Sequence, residues 1–278
     1  MTNPTLCFPD HEKSCFACCP PIRPAGYEHI QYKNIINRFL RENTEEFGGR
    51  DREIVPITGL SCWALGFVDK GYKRAGCLLH PDQNGGMDLR YRVDYGDKCR
   101  REICPEERTF SRLGKNDRVF WLHLADGLDS FSYSSRKENP LLNLMNWGNF
   151  LLSMITSEER YRPMTGELFF RAYPFFLTPV SPKANAYLIN QSVTKAGPAI
   201  LKRGAFAGAF ERFSRDLTIQ IKALCPPGYD APHTHRLGLD GDFLNFLRLS
   251  PGIRRIDREG ALMLKGVVDE ALIKFIPS

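Results

Sequence analysis

Cys15-Phe16-Ala17-Cys18-Cys19-Pro20-Pro21 is the stretch of sequence that bears most directly on how this chain folds. Thiols separated by two residues, such as Cys15 and Cys18, can both face one metal ion, because a tight turn brings their Cβ atoms together. The adjacent Cys18 and Cys19 cannot easily face the same ion, so we expect one of them to serve a second ion or a structural role. The stretch therefore predicts a metal site towards the N-terminal side of the chain.

Eight of the nine cysteines lie before Pro105, and this density is the main argument for metal binding. Cys77 and His80 are again separated by two residues, which makes His80 a further candidate ligand. A proline follows Cys19 and Cys104, a pairing that recurs among iron–sulfur ligands. The residues that we predict as metal ligands are Cys15, Cys18, Cys19, Cys62, Cys77, Cys99 and Cys104.

Buried thiols and disulfides are the alternative interpretations of these cysteines. Scattered free cysteines usually behave as small buried apolar residues. We expect the remote Cys225, which precedes Pro226-Pro227, to take no part in metal binding. Disulfides need an oxidising compartment. The chain begins without the basic start and apolar core of a secretory signal, so we expect a cytoplasmic, reducing location. Whether Cys7 or His80 joins the predicted ligands stays open.

The predicted cofactor is zinc or iron, the latter also as an iron–sulfur cluster, because four thiolates in tetrahedral geometry suit either. Eight cysteines are enough for two such sites. A closed zinc site would be structural, whereas a cluster with an open position would imply chemistry. No catalytic residue is predicted, since the sequence lacks a P-loop, a dinucleotide-binding glycine motif and a Gly-x-Ser-x-Gly nucleophile motif.

Composition narrows the class of protein and of partner. The chain has 278 residues, 42% of them hydrophobic and 25% charged, which is ordinary for a globular protein of one large or two modest domains. Its net charge of +6 is mild, and acidic and basic residues alternate along the chain. No run approaches the ~18 apolar residues of a membrane-spanning helix. We expect a metal ion as the ligand and no membrane or nucleic-acid partner. Whether the chain has a protein partner stays open.

The chain divides into two regions by pattern. Residues 1–118 are rich in cysteine, glycine, proline and charge, with helical spacing only in 27–46. Residues 119–278 carry apolar residues at helical spacing, although the aromatic-rich 166–177 suggests a strand or extended core. The helices expected there cover 141–155, 192–224, 243–249 and 261–275. We predict a mainly α, or α+β, fold. An irregular Cys-rich region, stapled by metal, is expected to pack on a helical region. The two regions form either separate domains or one integrated domain.

The ordered cysteine motifs resemble a known family. They run from C-x-x-C-C through Cys62-Trp63-Ala64-Leu65-Gly66-Phe67 and Gly76-Cys77-Leu78-Leu79-His80-Pro81 to Cys99-Arg100. This order resembles the CxxCxxCC family of zinc- or iron-chelating proteins, the YkgJ type, over residues 15–105. The family motif has two C-x-x steps before its final cysteine pair and this chain has one, so Cys7 could supply the further thiol.

The resemblance implies a metal-chelating protein and leaves two alternatives open. Members of the same Cys-rich group include flagellin lysine N-methylases, which implies an iron–sulfur-dependent protein lysine N-methylase-like enzyme as the first alternative. The second alternative is a non-catalytic module in which zinc only stabilises a loop-rich scaffold for interactions. The colour of the purified protein separates them, because an iron–sulfur cluster is brown and zinc is colourless.

Overall fold

A computed structural model of the chain describes residues 4–19, 28–49, 54, 56–57, 62–101, 103–225 and 231–276. These residues are mostly helical, and among them two short strands form one antiparallel sheet. The prediction of a mainly helical fold is thus confirmed. Within the described ranges, no helix is both long enough and apolar enough to cross a membrane.

The chain separates into two compact units, which meet in sequence at Met145 and Asn146. We call them unit 1 and unit 2. The boundary predicted at residue 118 falls inside a helix of unit 1, Lys115–Leu122. All of the predicted metal ligands therefore belong to unit 1.

Unit 1 combines short helices with the two-stranded sheet. Its α-helices and strands are α1 (Lys33–Glu46), β1 (Leu65–Phe67), β2 (Ala75–Cys77), α2 (Gly96–Arg101), α3 (Pro105–Ser111), α4 (Lys115–Leu122), α5 (Ser130–Tyr133) and α6 (Pro140–Met145). Single 3-10 turns cover His29–Tyr32, Phe47–Gly49, Pro81–Gln83, Arg90–Arg92 and His123–Ala125. The helix expected over 27–46 is present as α1, while Tyr27 lies outside the described residues.

Helix α1 packs on the hairpin and fixes its position. In the hairpin, Gly66 pairs with Gly76, and a Cβ added to Gly66 would lie 2.7 Å from Thr44 Oγ1 of α1. Thr44 Oγ1 accepts a hydrogen bond of 2.7 Å from the backbone N–H of Phe67. Asn43 Nδ2 donates to the carbonyl of Leu65 at 2.9 Å. The close approach of α1 to β1 requires a glycine in that strand. This packing buries a core formed by Phe16, Ile36, Leu40, Trp63, Leu65, Phe67, Leu79, Val93 and Phe131.

The N-terminal segment is held in unit 1 by helix α5. The backbone N–H of Ser14 donates to Ser130 Oγ at 3.1 Å, and that of Phe16 donates to Ser134 Oγ at 3.0 Å. The ring of Phe16 meets that of Phe131 edge to face, with centroids 5.3 Å apart. These buried hydrogen bonds and ring contacts give the cysteines of this segment defined positions.

Unit 2 is helical. Its α-helices are α7 (Asn149–Glu158), α8 (Gly166–Ala172), α9 (Pro182–Ala196), α10 (Gly204–Leu224), α11 (Gly241–Leu249) and α12 (Arg258–Phe275). Aromatic pairs join them: Tyr187 of α9 packs on Phe243 of α11 with ring centroids 5.3 Å apart, and Phe213 of α10 stacks on Phe275 of α12 at 4.2 Å. Helices α11 and α12 confirm the predictions for 243–249 and 261–275.

Three expectations about helix continuity were wrong. The helix expected over 141–155 is two helices, because Gly148 adopts φ 88° ahead of α7. The helical run 192–224 breaks at Gly197, with φ 75°, and Pro198, which supplies no N–H to a continuing helix. Residues 166–177 form α8 and a 3-10 turn rather than a strand, and Thr165 caps α8 by accepting from the N–H of Leu168 at 3.4 Å.

Candidate metal centre

Four thiols of unit 1 surround one small cavity of about 40 Å³. We call this set the first thiol group: Cys7, Cys15, Cys18 and Cys104. The remaining lining residues are Leu6, Ala17, Glu106, Arg136 and Leu142. The cavity thus combines soft sulfur donors with one carboxylate and one guanidinium.

The backbone brings three separate places in the chain to this cavity. The N–H of Cys15 donates to the carbonyl of Cys7 at 2.8 Å, so these two cysteines lie side by side. Cys104 is the N-cap residue of α3, where its Sγ accepts from the N–H of Glu107 at 3.3 Å. The carboxylate of Glu107 in turn accepts from the N–H of Leu6 at 2.7 Å. This last bond ties the N-terminal segment to the start of α3.

The other four thiols of unit 1 form a second thiol group: Cys19, Cys62, Cys77 and Cys99. Burial is the largest cause of the raised pKa of Cys62, and negative charge on Cys77 and Cys99 adds to it. A hydrogen bond with Cys18 and burial are the largest causes of the raised pKa of Cys19, and Cys77 and Cys62 add to them. Cys77 closes β2, and Cys99 lies on α2. The expected tight turn is present, because the N–H of Cys19 donates to the carbonyl of Phe16 at 3.0 Å.

Cys18 lies near thiols of both groups. Its charge raises the pKa of Cys7, Cys15 and Cys104 in the first group. It also raises the pKa of Cys19, Cys77 and Cys99 in the second group. Cys18 is also the one exposed thiol among the described cysteines. The C-x-x-C-C stretch therefore links the two groups, and the expectation that Cys18 and Cys19 serve different ions or roles stays a prediction.

Burial is the largest cause of raised pKa values at several of these thiols. It raises the pKa of Cys15 and Cys62 to about 12, and that of Cys77 and Cys104 to about 11. These four thiols are protonated at neutral pH in the absence of a bound cation. A metal ion would reverse this preference, because its positive charge favours the thiolate.

Backbone N–H groups act in the opposite direction and favour the thiolate. Hydrogen bonds from the backbone of Ala17, Ala64 and Leu79 lower the pKa values of the cysteines two residues before them, which are Cys15, Cys62 and Cys77. The same local geometry thus recurs at one thiol of the first group and at two of the second. Hydrogen bonds to sulfur are a common means by which proteins support metal-bound thiolates.

The side chains do not form a ready-made ligand cage. Over the described residues, no set of three or more His, Cys, Asp and Glu side chains is arranged to hold one metal ion. The nine cysteines, which all belong to the described residues, are thiols rather than disulfides. The seven ligand assignments made from the sequence therefore remain predictions, although the donors are soft and two sets of four match the number that tetrahedral sites require.

The other candidate ligands lie in different surroundings. His80 is the N-cap residue of the 3-10 turn Pro81–Gln83, where its Nδ1 accepts from the N–H of Asp82 at 3.3 Å. Burial is the main cause of its lowered pKa. Cys225 is the C-cap residue of α10 in unit 2. Pro20, which follows Cys19, lies outside the described residues.

Sequence reasoning left Cys7 open and missed Glu106. The structure places Cys7 in the first thiol group beside Cys15, although seven residues separate them in the chain. Glu106 is only 2% exposed and lines the same cavity. A glutamate in the first turn of a helix is ordinarily explained by the helix dipole. The sequence therefore gives no indication that Glu106, two residues after Cys104, lies beside the thiols.

Comparisons with known proteins give no relative: no family model, curated protein or solved structure matches this chain. The resemblance to the CxxCxxCC family accordingly remains a prediction that rests on the cysteine motifs. The class of site is defined by the chemistry of its donors alone, which is that of a thiol-rich centre.

Proposed function

We propose that unit 1 binds zinc or iron, the latter as an ion or as an iron–sulfur cluster, through its clustered cysteines. The observation that carries this proposal is that four thiols, Cys7, Cys15, Cys18 and Cys104, line one small cavity. Four further thiols, Cys19, Cys62, Cys77 and Cys99, lie near enough to one another for their charges to interact. Buried apolar cysteines have no reason to collect in this way, whereas metal ligands must.

The N–H groups that donate to sulfur support the same proposal. A neutral buried thiol gains little from such a donor, but a thiolate gains a charge-assisted hydrogen bond. The pattern occurs at Cys15, Cys62 and Cys77, and at Cys104 through the N–H of Glu107. Both thiol groups are therefore equipped to hold negative sulfur once a cation is bound.

Metal binding would require the thiols to turn towards a common point. Rotation about χ1 exchanges one staggered rotamer for another and moves Sγ without moving the backbone. The bound cation would also displace the protons that burial now retains. Because unit 1 has short elements and a small sheet, the metal would contribute to its folding free energy as well.

Paired serine variants test the proposal and its division into two groups. The protein is purified without oxygen, and its zinc, iron and acid-labile sulfide are measured per chain. Cys15→Ser with Cys104→Ser removes two thiols of the first group, and Cys77→Ser with Cys99→Ser removes two of the second. We expect each pair to lower the bound metal by roughly half, because a four-thiol site does not survive the loss of two ligands.

Cys225→Ser is the matched control and should leave the metal content unchanged. A wild-type protein that is folded, reduced and free of metal would refute the proposal. The visible spectrum then assigns the role, since brown protein with labile sulfide favours the methylase-like enzyme alternative. Colourless protein with stoichiometric zinc favours a structural, non-catalytic module.

A further inference from the structure

Glu106 is a buried carboxylate, and one of its two oxygens has no hydrogen-bond partner among the described residues. It is the second residue of α3 and is 2% exposed. Its Oε1 forms an ion pair with Nη1 of Arg136, a side chain that is half exposed. Throughout the described residues, no group contacts Oε2 with hydrogen-bond geometry. A buried charged oxygen without a partner is costly, and in a native protein it calls for an explanation such as a bound ion.

The surroundings of Glu106 indicate what that ion is. Glu106 lines the cavity of the first thiol group together with Cys7, Cys15, Cys18 and Cys104. Glu106 lies two residues after Cys104 in the chain, and both side chains line this cavity. An anionic oxygen and several sulfur donors around one small cavity are the donor types that a divalent cation takes in proteins.

We propose that Glu106 is a metal ligand through Oε2, and that Arg136 orients the carboxylate by holding Oε1. This inference rests on the proposed metal-binding function and adds to it. The first thiol group becomes a mixed sulfur–oxygen site, whereas the second group is a site of sulfur alone. In a four-coordinate site the carboxylate takes the place of one thiolate, and the remaining ligands are Cys7, Cys15 and Cys104.

Cys18 is the thiol of the first group that does not bind the metal in this arrangement. It is the exposed member of the group, whereas Cys7, Cys15 and Cys104 are half-buried. A site of three thiolates and one carboxylate has a more weakly bound ligand than a site of four thiolates, because a hard oxygen donor suits a soft-ligand centre less well. The first site is thus the one at which an incoming ligand can displace a protein ligand.

Cadmium-113 NMR on the full chain tests this assignment directly. The reduced protein is loaded with ¹¹³Cd²⁺, whose resonance moves upfield when oxygen replaces sulfur in its coordination shell. We expect two bound-cadmium resonances in the wild type, one in the all-sulfur range and one upfield of it. In Glu106→Gln the upfield resonance should move or disappear, with cadmium affinity at that site lowered about 10–100-fold or more.

Glu138→Gln is the matched control, because Glu138 is exposed and does not line the cavity. It removes the same charge and should leave both resonances in place. Two resonances in the all-sulfur range, or an unchanged spectrum in Glu106→Gln, would overturn the assignment of Glu106 while leaving metal binding intact. Failure of the wild type to bind cadmium at all would instead refute the proposed function and this inference with it.

Discussion

Individual thiols in unit 1 are subject to two opposing influences. Burial favours the protonated form, and it raises the pKa of both Cys15 and Cys62 to about 12. Backbone N–H groups two residues further along favour the thiolate at the same sulfur atoms. The proton therefore stays only as long as no cation competes for the sulfur. This balance makes metal affinity a function of pH.

Metal binding should release protons and strengthen as pH rises. The thiol pKa values lie well above neutrality, so every thiol that becomes a ligand must lose a proton on binding. Each proton released per metal ion adds about one unit to the slope of log K against pH. Calorimetric titration with zinc, in buffers of different ionisation enthalpy between about pH 6 and 8, measures that number.

The pH titration can also give a result that contradicts this prediction. An affinity that stays constant across this range, with no buffer-dependent heat, would mean that the ligands are not protonated thiols. The sign is fixed by the raised pKa values: acid weakens binding because protons compete for sulfur, and alkali strengthens it until hydroxide competes for the metal.

Among the elements, helix α2 presents Cys99 to the second thiol group. The helix begins at Gly96, whose position is crowded: an added Cβ would lie 2.3 Å from the carbonyl oxygen of Arg90 and 2.8 Å from the Cα of Tyr91. Backbone atoms cannot move aside as the end of a side chain can. Arg90 also donates through Nη1 to the carbonyl of Cys99 at 2.8 Å, so the turn and the helix are joined.

Gly96→Ala should disturb the second thiol group. We expect the free energy of unfolding to fall by about 1–3 kcal/mol, because the added methyl group has no space. Metal bound at the second group should fall with it, while the first group keeps its metal. Chemical denaturation and elemental analysis measure the two effects. Gly48→Ala is the control, since no atom lies within 4 Å of its added Cβ, and equal losses in both variants would contradict the steric explanation.

Helices with a regular apolar spacing could be predicted from the sequence, and their interruptions could not. The pattern that gave α11 and α12 is local, since one face of each helix is buried. The breaks at Gly148 and Gly197 depend on a single glycine adopting positive φ, which hydrophobic spacing does not encode. Strands β1 and β2 have three residues each, too few for an alternating pattern to show.

The local features of the candidate site could likewise be predicted from the sequence, and those that depend on long-range contacts could not. The C-x-x-C-C spacing predicted a tight turn, and the turn is present between Phe16 and Cys19. The partition of the cysteines into two groups depends on the folding together of distant parts of the chain, as where Cys104 and Cys7 line the same cavity. Glu106 became visible only through its burial beside those thiols.

At the scale of the whole molecule, the thiol-rich centre belongs to unit 1, which extends to Met145, while unit 2 forms a helical core of its own. Unit 1 relies on short helices and a hairpin of three-residue strands. A small sheet of this kind is marginally stable without further support. Bound metal would supply that support, since the free energy of metal binding adds to that of folding.

X-ray absorption at the metal edge tests the central claim most directly, because it reports the atoms bound to the metal in the full chain. The sample is protein purified without oxygen, with its native metal. The account predicts a dominant shell of sulfur neighbours, at about 2.3 Å if the metal is zinc, with a minor oxygen contribution from the site that contains Glu106. A shell of nitrogen and oxygen alone, or protein that carries no metal while its thiols are reduced and its fold intact, would contradict it.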